Sequence, residues 1–283
     1  MIYLRNFSFP SEDREYNFIL DEKRTCFDTF YPFKILSKND FTEIDFEPVT
    51  ILYGGNGSGK STALNVIAEK IEASRDTIFN KSNFFKDYVD MCDMDDVKVA
   101  EIKRIITSDD VFDYILNLRN LNEGIDNKRE NLFGDYLDAK YSGFKMKSLE
   151  DYEELKKVNS ARSKTMSKFI RKNLMSNVRL YSNGESAYRY FIEKITENGL
   201  YILDEPENSL SPKRQIELMS FIEDSARFFG CQFIISTHSP FLLAIKGAKI
   251  YDLDESPVSV KPWTSLENVR TYYEFFKHHD SEF

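Results

Sequence analysis

The stretch Gly54-Gly55-Asn56-Gly57-Ser58-Gly59-Lys60-Ser61-Thr62 decides the reading of this chain. It satisfies the phosphate-loop pattern G-x-x-x-x-G-K-[ST] at every constrained position. Val49, Ile51 and Leu52 before it form an apolar run that predicts a buried strand. Ala63, Leu64, Val66, Ile67 and Ile71 after it repeat at helical spacing. Glycines let the backbone turn N–H groups around an anion, and the following helix aims its positive end at the same place. In such a cradle Lys60 reaches the β- and γ-phosphates of a nucleoside triphosphate, and Ser61 offers its hydroxyl to Mg²⁺.

Around this motif lies a chain of 283 residues, 41% apolar and 30% charged, enough for one large domain or two small ones. No uninterrupted apolar run approaches the roughly 18 residues of a membrane helix, so no membrane role is expected. The opening residues lack the layout of a secretory signal, and Cys26, Cys92 and Cys231 show no metal-type spacing. A cytoplasmic location is the expectation. The net charge of −9 opposes a surface that grips nucleic acid throughout, yet charge is unevenly placed. Nine acids fall between Asp87 and Asp113, and eight bases with no acid between Lys156 and Arg179. These read as two solvated helical faces, packed on each other or not; the alternative is that 156–179 meets nucleic acid or an acidic partner.

The fold class expected is α/β with a mainly parallel sheet, in a single domain spanning residues 1–283. Residues 1–53 look strand-rich, and about 80–178 read as a polar, helical insertion. Leu200–Leu203, Phe233–Ile235 and Ile250–Leu253 read as strands, alternating with a helix over Pro212–Phe229 and another from Pro240. That alternation implies a sheet covered on both faces. Thr264-Ser265-Leu266-Glu267 reads as a capping box, and Leu266, Val269, Tyr273 and Phe276 as a stripe packed into the core.

Three further motifs follow in order. Tyr201–Leu203 runs into Asp204-Glu205-Pro206, a strand ending in paired carboxylates, where open parallel sheets place ligands. Asp204 can hold Mg²⁺ directly or through water, and Glu205 can polarise a water for attack on the γ-phosphate. Phe233–Ile235 leads to Ser236-Thr237-His238-Ser239-Pro240, which puts a histidine one strand further on. Tyr181-Ser182-Asn183-Gly184-Glu185 offers a hydroxyl, backbone N–H groups and a helix start, a second anion site. One triphosphate rarely needs two such sites in one monomer, whereas a head-to-tail dimer sandwiching ATP does.

Phosphate loop, Ser-x-Gly-Glu, Asp-Glu-Pro and Thr-His-Ser-Pro, in this order, resemble the ABC-type ATPase domain. Asp204-Glu205-Pro206-Glu207-Asn208-Ser209-Leu210-Ser211-Pro212 is similar to the SMC/RecF/OLD branch of AAA-family ATPases. The resemblance covers roughly residues 1–75 and 175–255. It implies ATP and Mg²⁺ as cofactors, and phosphates held by Lys60, Ser61 and the amides of Gly55 to Gly59. It further implies Ser61 and Asp204 at the metal, Glu205 as catalytic base and His238 as a γ-phosphate contact. Ser182 and Gly184 would act on the nucleotide of the other subunit. Two departures stand out. No glutamine lies between Lys60 and Ser182, leaving Asn83 as the candidate substitute, and Ser211 replaces the aspartate that transporters carry after Leu210. Tyr31 and Phe33 are candidates for stacking on adenine or for core packing.

The function implied is an ATPase acting as a homodimeric switch on a separate effector such as a nuclease or toxin, in genome maintenance or anti-phage defence. The alternatives are the ATP-binding subunit of a transporter and a slow, nucleotide-gated scaffold.

Overall fold

The computed structural model describes residues 1–25, 27–96, 98, 100–144, 151–178 and 182–283. The chain divides into two compact units, one of Met1–Phe112 with Asn183–Phe283, the other of Asp113–Ser182.

The first unit opens with β1 (Leu4–Ser8) and α1 (Glu12–Asp21), then β2 (Glu43–Asp45) and β3 (Val49–Tyr53). It continues through α2 (Lys60–Lys70), α3 (Phe85–Met91), β4 (Asp93–Asp96) and β5 (Ile102–Thr107). The long helix α4 (Ser108–Tyr141) leaves it, and α5 (Tyr152–Ser163) and α6 (Met166–Asn173) belong to the second unit. The first unit resumes with α7 (Asn183–Lys194), β6 (Gly199–Asp204), α8 (Pro212–Phe228), β7 (Gln232–Ser236) and the single turn α9 (Pro240–Leu243). It closes with β8 (Lys249–Asp252), β9 (Ser259–Val260) and α10 (Glu267–His278).

Six strands form one sheet in the order β5-β6-β7-β3-β8-β9, parallel except for the antiparallel β9. Strand β3 and strand β7 are buried at every position, as expected for strands covered on both faces. Register decides what the sheet can do. Leu52 and Asp204 both pair with Ser236, Thr107 pairs with Asp204, and Tyr53 pairs with Asp252. The carboxyl ends of five strands are therefore level, and the loops that leave them crowd one edge. A second sheet, β2-β1-β4, is antiparallel and packs Leu4, Phe7 and Ile44 into the same apolar core as Leu64, Ile67 and Ile202.

The structure differs from the sequence reading in several places. The segment 80–112, expected within a helical insertion, supplies β4 and β5 to the first unit. Ile102, Ile105, Ile106 and Thr107 are β-branched and suit a strand, although Lys103 and Arg104 break a strict alternation. Asp93 and Asp95 accordingly stand on an edge strand, where like charge discourages further pairing, and not on a helical face. Glu12–Asp21 is helical, although residues 1–53 read as strands.

The tail is a correction too. Trp263–Ser265 is a short 3-10 turn, and Leu266 is the N-cap of α10 without a side-chain cap. Leu266 and Val269 are buried, but Tyr273 and Phe276 are about half exposed, as are Tyr272 and Phe275. The stripe expected in the core leaves it after one turn.

In the second unit, Tyr136, Ala139, Val158, Ala161 and Phe169 make a small separate core. Lys156 pairs with Glu153 and Lys157 with Asp135, so part of the basic run is neutralised within the unit.

Candidate active site

The phosphate loop runs from the end of β3 into α2. Gly59, the N-cap of that helix, has φ 96°, and a Cβ there would lie 3.0 Å from Leu36 and 3.1 Å from Ile35. Only glycine fits both the backbone and the space. Lys60 is buried, and its Nζ donates to the carbonyls of Gly54 (2.7 Å) and Gly55 (2.9 Å). The ammonium thus folds back over its own loop. Burial pushes its pKa down, and the carboxylates of Glu205 and Asp204 oppose that shift. The loop is clamped from outside, because Gly55 N donates to both carboxylate oxygens of Asp254, at 2.8 and 2.7 Å.

Ser61 Oγ donates to Asp204 Oδ1 at 3.1 Å, and Ser236 Oγ bonds the same oxygen. Burial raises the Asp204 pKa, against the pull of these two hydroxyls. An octahedral Mg²⁺ with bonds of 2.0–2.1 Å has neighbouring ligands about 3 Å apart, close to the Ser61–Asp204 separation. Among the described residues no group of three acidic, His or Cys side chains could hold a metal alone. Two hard oxygens beside a phosphate cradle fit a cation bound jointly with phosphates and water.

Glu205 follows at φ 48°, a left-handed conformation that costs a non-glycine residue roughly 1–2 kcal/mol. Its N–H donates to Ser236 O (3.1 Å) and Ser236 Oγ (3.0 Å), and its carbonyl accepts from Asn208 N (3.2 Å). These bonds hold the strained turn and aim the side chain at His238. Glu205 Oε1 lies 3.5 Å from His238 Nε2, while Oε2 accepts from Asn208 Nδ2 at 2.9 Å. His238 Nε2 is buried and makes no hydrogen bond among the described residues, facing Glu205 Oε1 instead.

The histidine is positioned through its backbone. Glu207 Oε1 accepts from His238 N (2.6 Å), Thr237 Oγ1 (2.7 Å) and Ser239 N (3.1 Å). Asn268 Nδ2, on α10, donates to His238 O at 2.7 Å. Burial raises the Glu207 pKa.

A cavity of about 380 Å³ is lined by Ile35, Asn56, Gly57, Gly59, Lys60, Ser61, Thr62 and Glu205. A neighbouring cleft of about 410 Å³ shares Ser61 and Glu205 and adds Asp204, Tyr31, Arg75, Asn65 and Asn80. These two spaces thus bring Lys60, Ser61, Thr62, Asp204 and Glu205 together beside the loop Gly54–Gly59, whereas His238 lines neither and is linked to them through its 3.5 Å approach to Glu205. Ser182 directly precedes α7, which Asn183 and Gly184 open, so the Ser-x-Gly turn does start a helix. Gly184 lines neither cavity, and a Cβ on it would lie 3.4 Å from Ser209 O. Tyr181 and Arg179 lie outside the described residues.

Asn83 is exposed and does not line the cleft; Asn65 and Asn80 do. Phe33 is buried and stacks on Phe18, so it is core. Tyr31 faces the cleft, its hydroxyl 3.3 Å from Thr62 Oγ1. Sequence reasoning missed Arg75, Asp254 and Asn268, and gave Glu207 and Ser236 no role. Only the last two carried a signal, as members of the quoted Asp-Glu-Pro-Glu and Ser-Thr-His-Ser-Pro stretches.

A phosphate loop, a strand-end aspartate and glutamate, and a histidine one strand further on define a P-loop nucleotide-binding ATPase domain of the ABC type. Comparison of sequences agrees, since the ABC transporter family model matches residues 39–208, more than half of the chain. The chain belongs to the ABC transporter family, whose ATPase domains generally bind and hydrolyse ATP with Mg²⁺. A second model, described as an AAA domain, putative AbiEii toxin, type IV TA system, matches residues 177–244. No match is found among curated proteins.

Similar solved structures include the Smc head domain of Pyrococcus furiosus, with an extended coiled coil and bound to the C-terminal domain of ScpA. That match is 15% identical and covers 84% of this chain and 95% of that one, with TM-score 0.39. The SMC head domain of Thermotoga maritima is 12% identical, with 92% and 99% covered and TM-score 0.39. A dimeric ATP-binding cassette in a post-hydrolysis state with ADP and Pi is 14% identical, with 79% and 90% covered and TM-score 0.35. Among the described residues, no helix is long and apolar enough to cross a membrane.

Proposed function

We propose that this chain is an Mg²⁺-dependent ATPase that works as a head-to-tail homodimer and passes its open or closed state to a separate effector. One observation carries the reading: Ser61 and Asp204 stand 3.1 Å apart beside Lys60, with Glu205 Oε1 3.5 Å from His238 Nε2 just past the ends of the paired strands β6 and β7. Lys60 and the loop amides bind the phosphates, and Ser61 and Asp204 hold Mg²⁺. The metal, when bound, neutralises charge on the phosphate oxygens. Glu205 accepts a proton from the attacking water, and His238 Nε2 holds a γ-phosphate oxygen. Ser182 and Gly184 complete the site of the second copy. Phosphate release that needs Mg²⁺ and is lost in Glu205→Gln is expected; release undiminished in that variant would contradict the assignment.

Genome maintenance or anti-phage defence is the proposed setting, with a nuclease or toxin as effector and a cytoplasmic location. Its support is the Asp204–Pro212 sub-pattern. Nucleic acid is proposed to engage residues 156–179. Retention of DNA or RNA should fall steeply with salt, because each neutralised phosphate releases counterions. Absence of retention at low salt, with and without ATP, would leave a protein-binding surface or simple solvation as the role of that run. The description of the matched family favours a second reading, the ATP-binding subunit of a transporter. Co-purification with a membrane permease from native cells would establish it.

A further inference from the structure

Among the described residues that line the phosphate-loop cavity, Ile35 alone has a wholly hydrocarbon side chain. Lys60 and the loop amides suit phosphate oxygens, and Ser61 and Glu205 suit metal and water. Ile35 suits none of these. It is half-buried, packs on the apolar core and also faces the cavity. It stands against the N-cap of α2, where a Cβ on Gly59 would lie 3.1 Å from its Cγ2. An aliphatic side chain offers a phosphate oxygen nothing, but it gains from covering ribose carbons or the face of a base.

A buried carboxylate fixes its position. Glu15, on α1, is 1% exposed, and Lys34 N and Ser37 Oγ both donate to its Oε2, at 2.6 and 2.9 Å. These two bonds bracket Ile35 and Leu36, the two side chains that meet Gly59. Lys34 has φ 62°, a left-handed conformation costly to any residue with a Cβ, so the turn needs an anchor. From the far end, Asn39 Nδ2 donates to Leu253 O at 2.8 Å, one residue before the Asp254 that clamps Gly55. Segment 34–39 and the phosphate loop are thus held in one frame.

We propose that Ile35 is the surface on which the nucleoside of the bound triphosphate rests, and that Glu15 is the positioning residue that keeps it there. This rests on the ATPase reading, which assigns the phosphates and the metal to other groups and leaves the nucleoside for Ile35. The rival contact, Tyr31, lines the neighbouring cleft with Asp204 and is already engaged. Its ring stacks on Phe85 at 5.9 Å, and its hydroxyl meets Thr62 Oγ1.

Calorimetric titration with Mg·ATP and with Mg·tripolyphosphate, which carries no nucleoside, tests the assignment. Ile35→Ala should weaken ATP about tenfold, since it uncovers several apolar carbons, and leave tripolyphosphate affinity unchanged. Ile35→Thr keeps the β-branch and nearly the same volume, so it tests the contact even where Ile35→Ala fails to fold; a smaller loss confined to ATP is expected. Glu15→Ala should reproduce the split between the two ligands. Both bonds end on one oxygen, so the amide oxygen of Glu15→Gln can accept them, and ATP affinity should return to the wild-type value. Equal weakening of both ligands in the Ile35 variants would make Ile35 a buttress of the loop, and unchanged ATP affinity would remove it from the site; either overturns the proposal. So would a loss in Glu15→Gln as large as in Glu15→Ala. Wild-type protein that binds neither ligand would sink the ATPase reading and this inference with it, whereas binding of both without a split in the variants sinks the inference alone.

Discussion

Ser61 and Asp204 are 143 positions apart in sequence, yet Ser61 Oγ donates to Asp204 Oδ1 across 3.1 Å. The contact follows from register. Strand β3 releases the phosphate loop level with Ser236, and β6 ends at Asp204 opposite the same residue. A level edge places the first turn of α2 against the end of β6. Ser236 then bonds Asp204 Oδ1 from the other side.

If that pair holds the metal, Ser61→Ala should raise the Mg²⁺ concentration needed for ATP binding at least tenfold. Binding of a fluorescent ATP analogue across a Mg²⁺ series measures it, with chelator as the baseline. An unchanged midpoint would place the metal elsewhere.

Lys60→Ala should abolish ATP binding, because it removes the cation that lies over the loop. For wild type, ligand at 100 times its Kd adds about 2.7 kcal/mol, so Mg·ATP should raise the melting temperature by several degrees. The variant should show no rise. An equal rise in both proteins would show that the loop is not the binding site.

Glu207 gives a pH dependence of defined sign. Burial raises its folded pKa above the ordinary glutamate value. Below that value the carboxyl is neutral in both states and carries no penalty. As pH climbs through the raised folded value, the buried group must ionise, and stability falls. Without nucleotide, Glu207→Gln should therefore lose less stability than wild type between pH 4 and pH 8. Denaturant melts at several pH values measure this, and parallel curves for the two proteins would refute it.

Much of this site was legible in the sequence because its parts sit on buried strands. Val49–Leu52, Tyr201–Leu203 and Phe233–Ile235 are short apolar runs, and the motif at each carboxyl end inherits a fixed address. Asp254 was not legible. It acts through a loop that returns 199 positions after Gly55, and nothing local marks it. Strand β5 was hidden because Lys103 and Arg104 interrupt its pattern. The aromatic face of α10 was misread because 3.6-residue spacing shows that a helix has an apolar side, but not what covers it. Tyr273 and Phe276 keep that spacing and stay in water.

The dimeric switch is tested most directly by sedimentation of Glu205→Gln with and without Mg·ATP. The amide keeps the shape of the side chain but cannot serve as a base, so ATP should bind and remain uncleaved. A monomer that becomes a dimer on adding ATP is expected, with Ser182→Arg in the same background blocking the shift. A Glu205→Gln protein that binds ATP and stays monomeric at high concentration would contradict the head-to-tail mechanism.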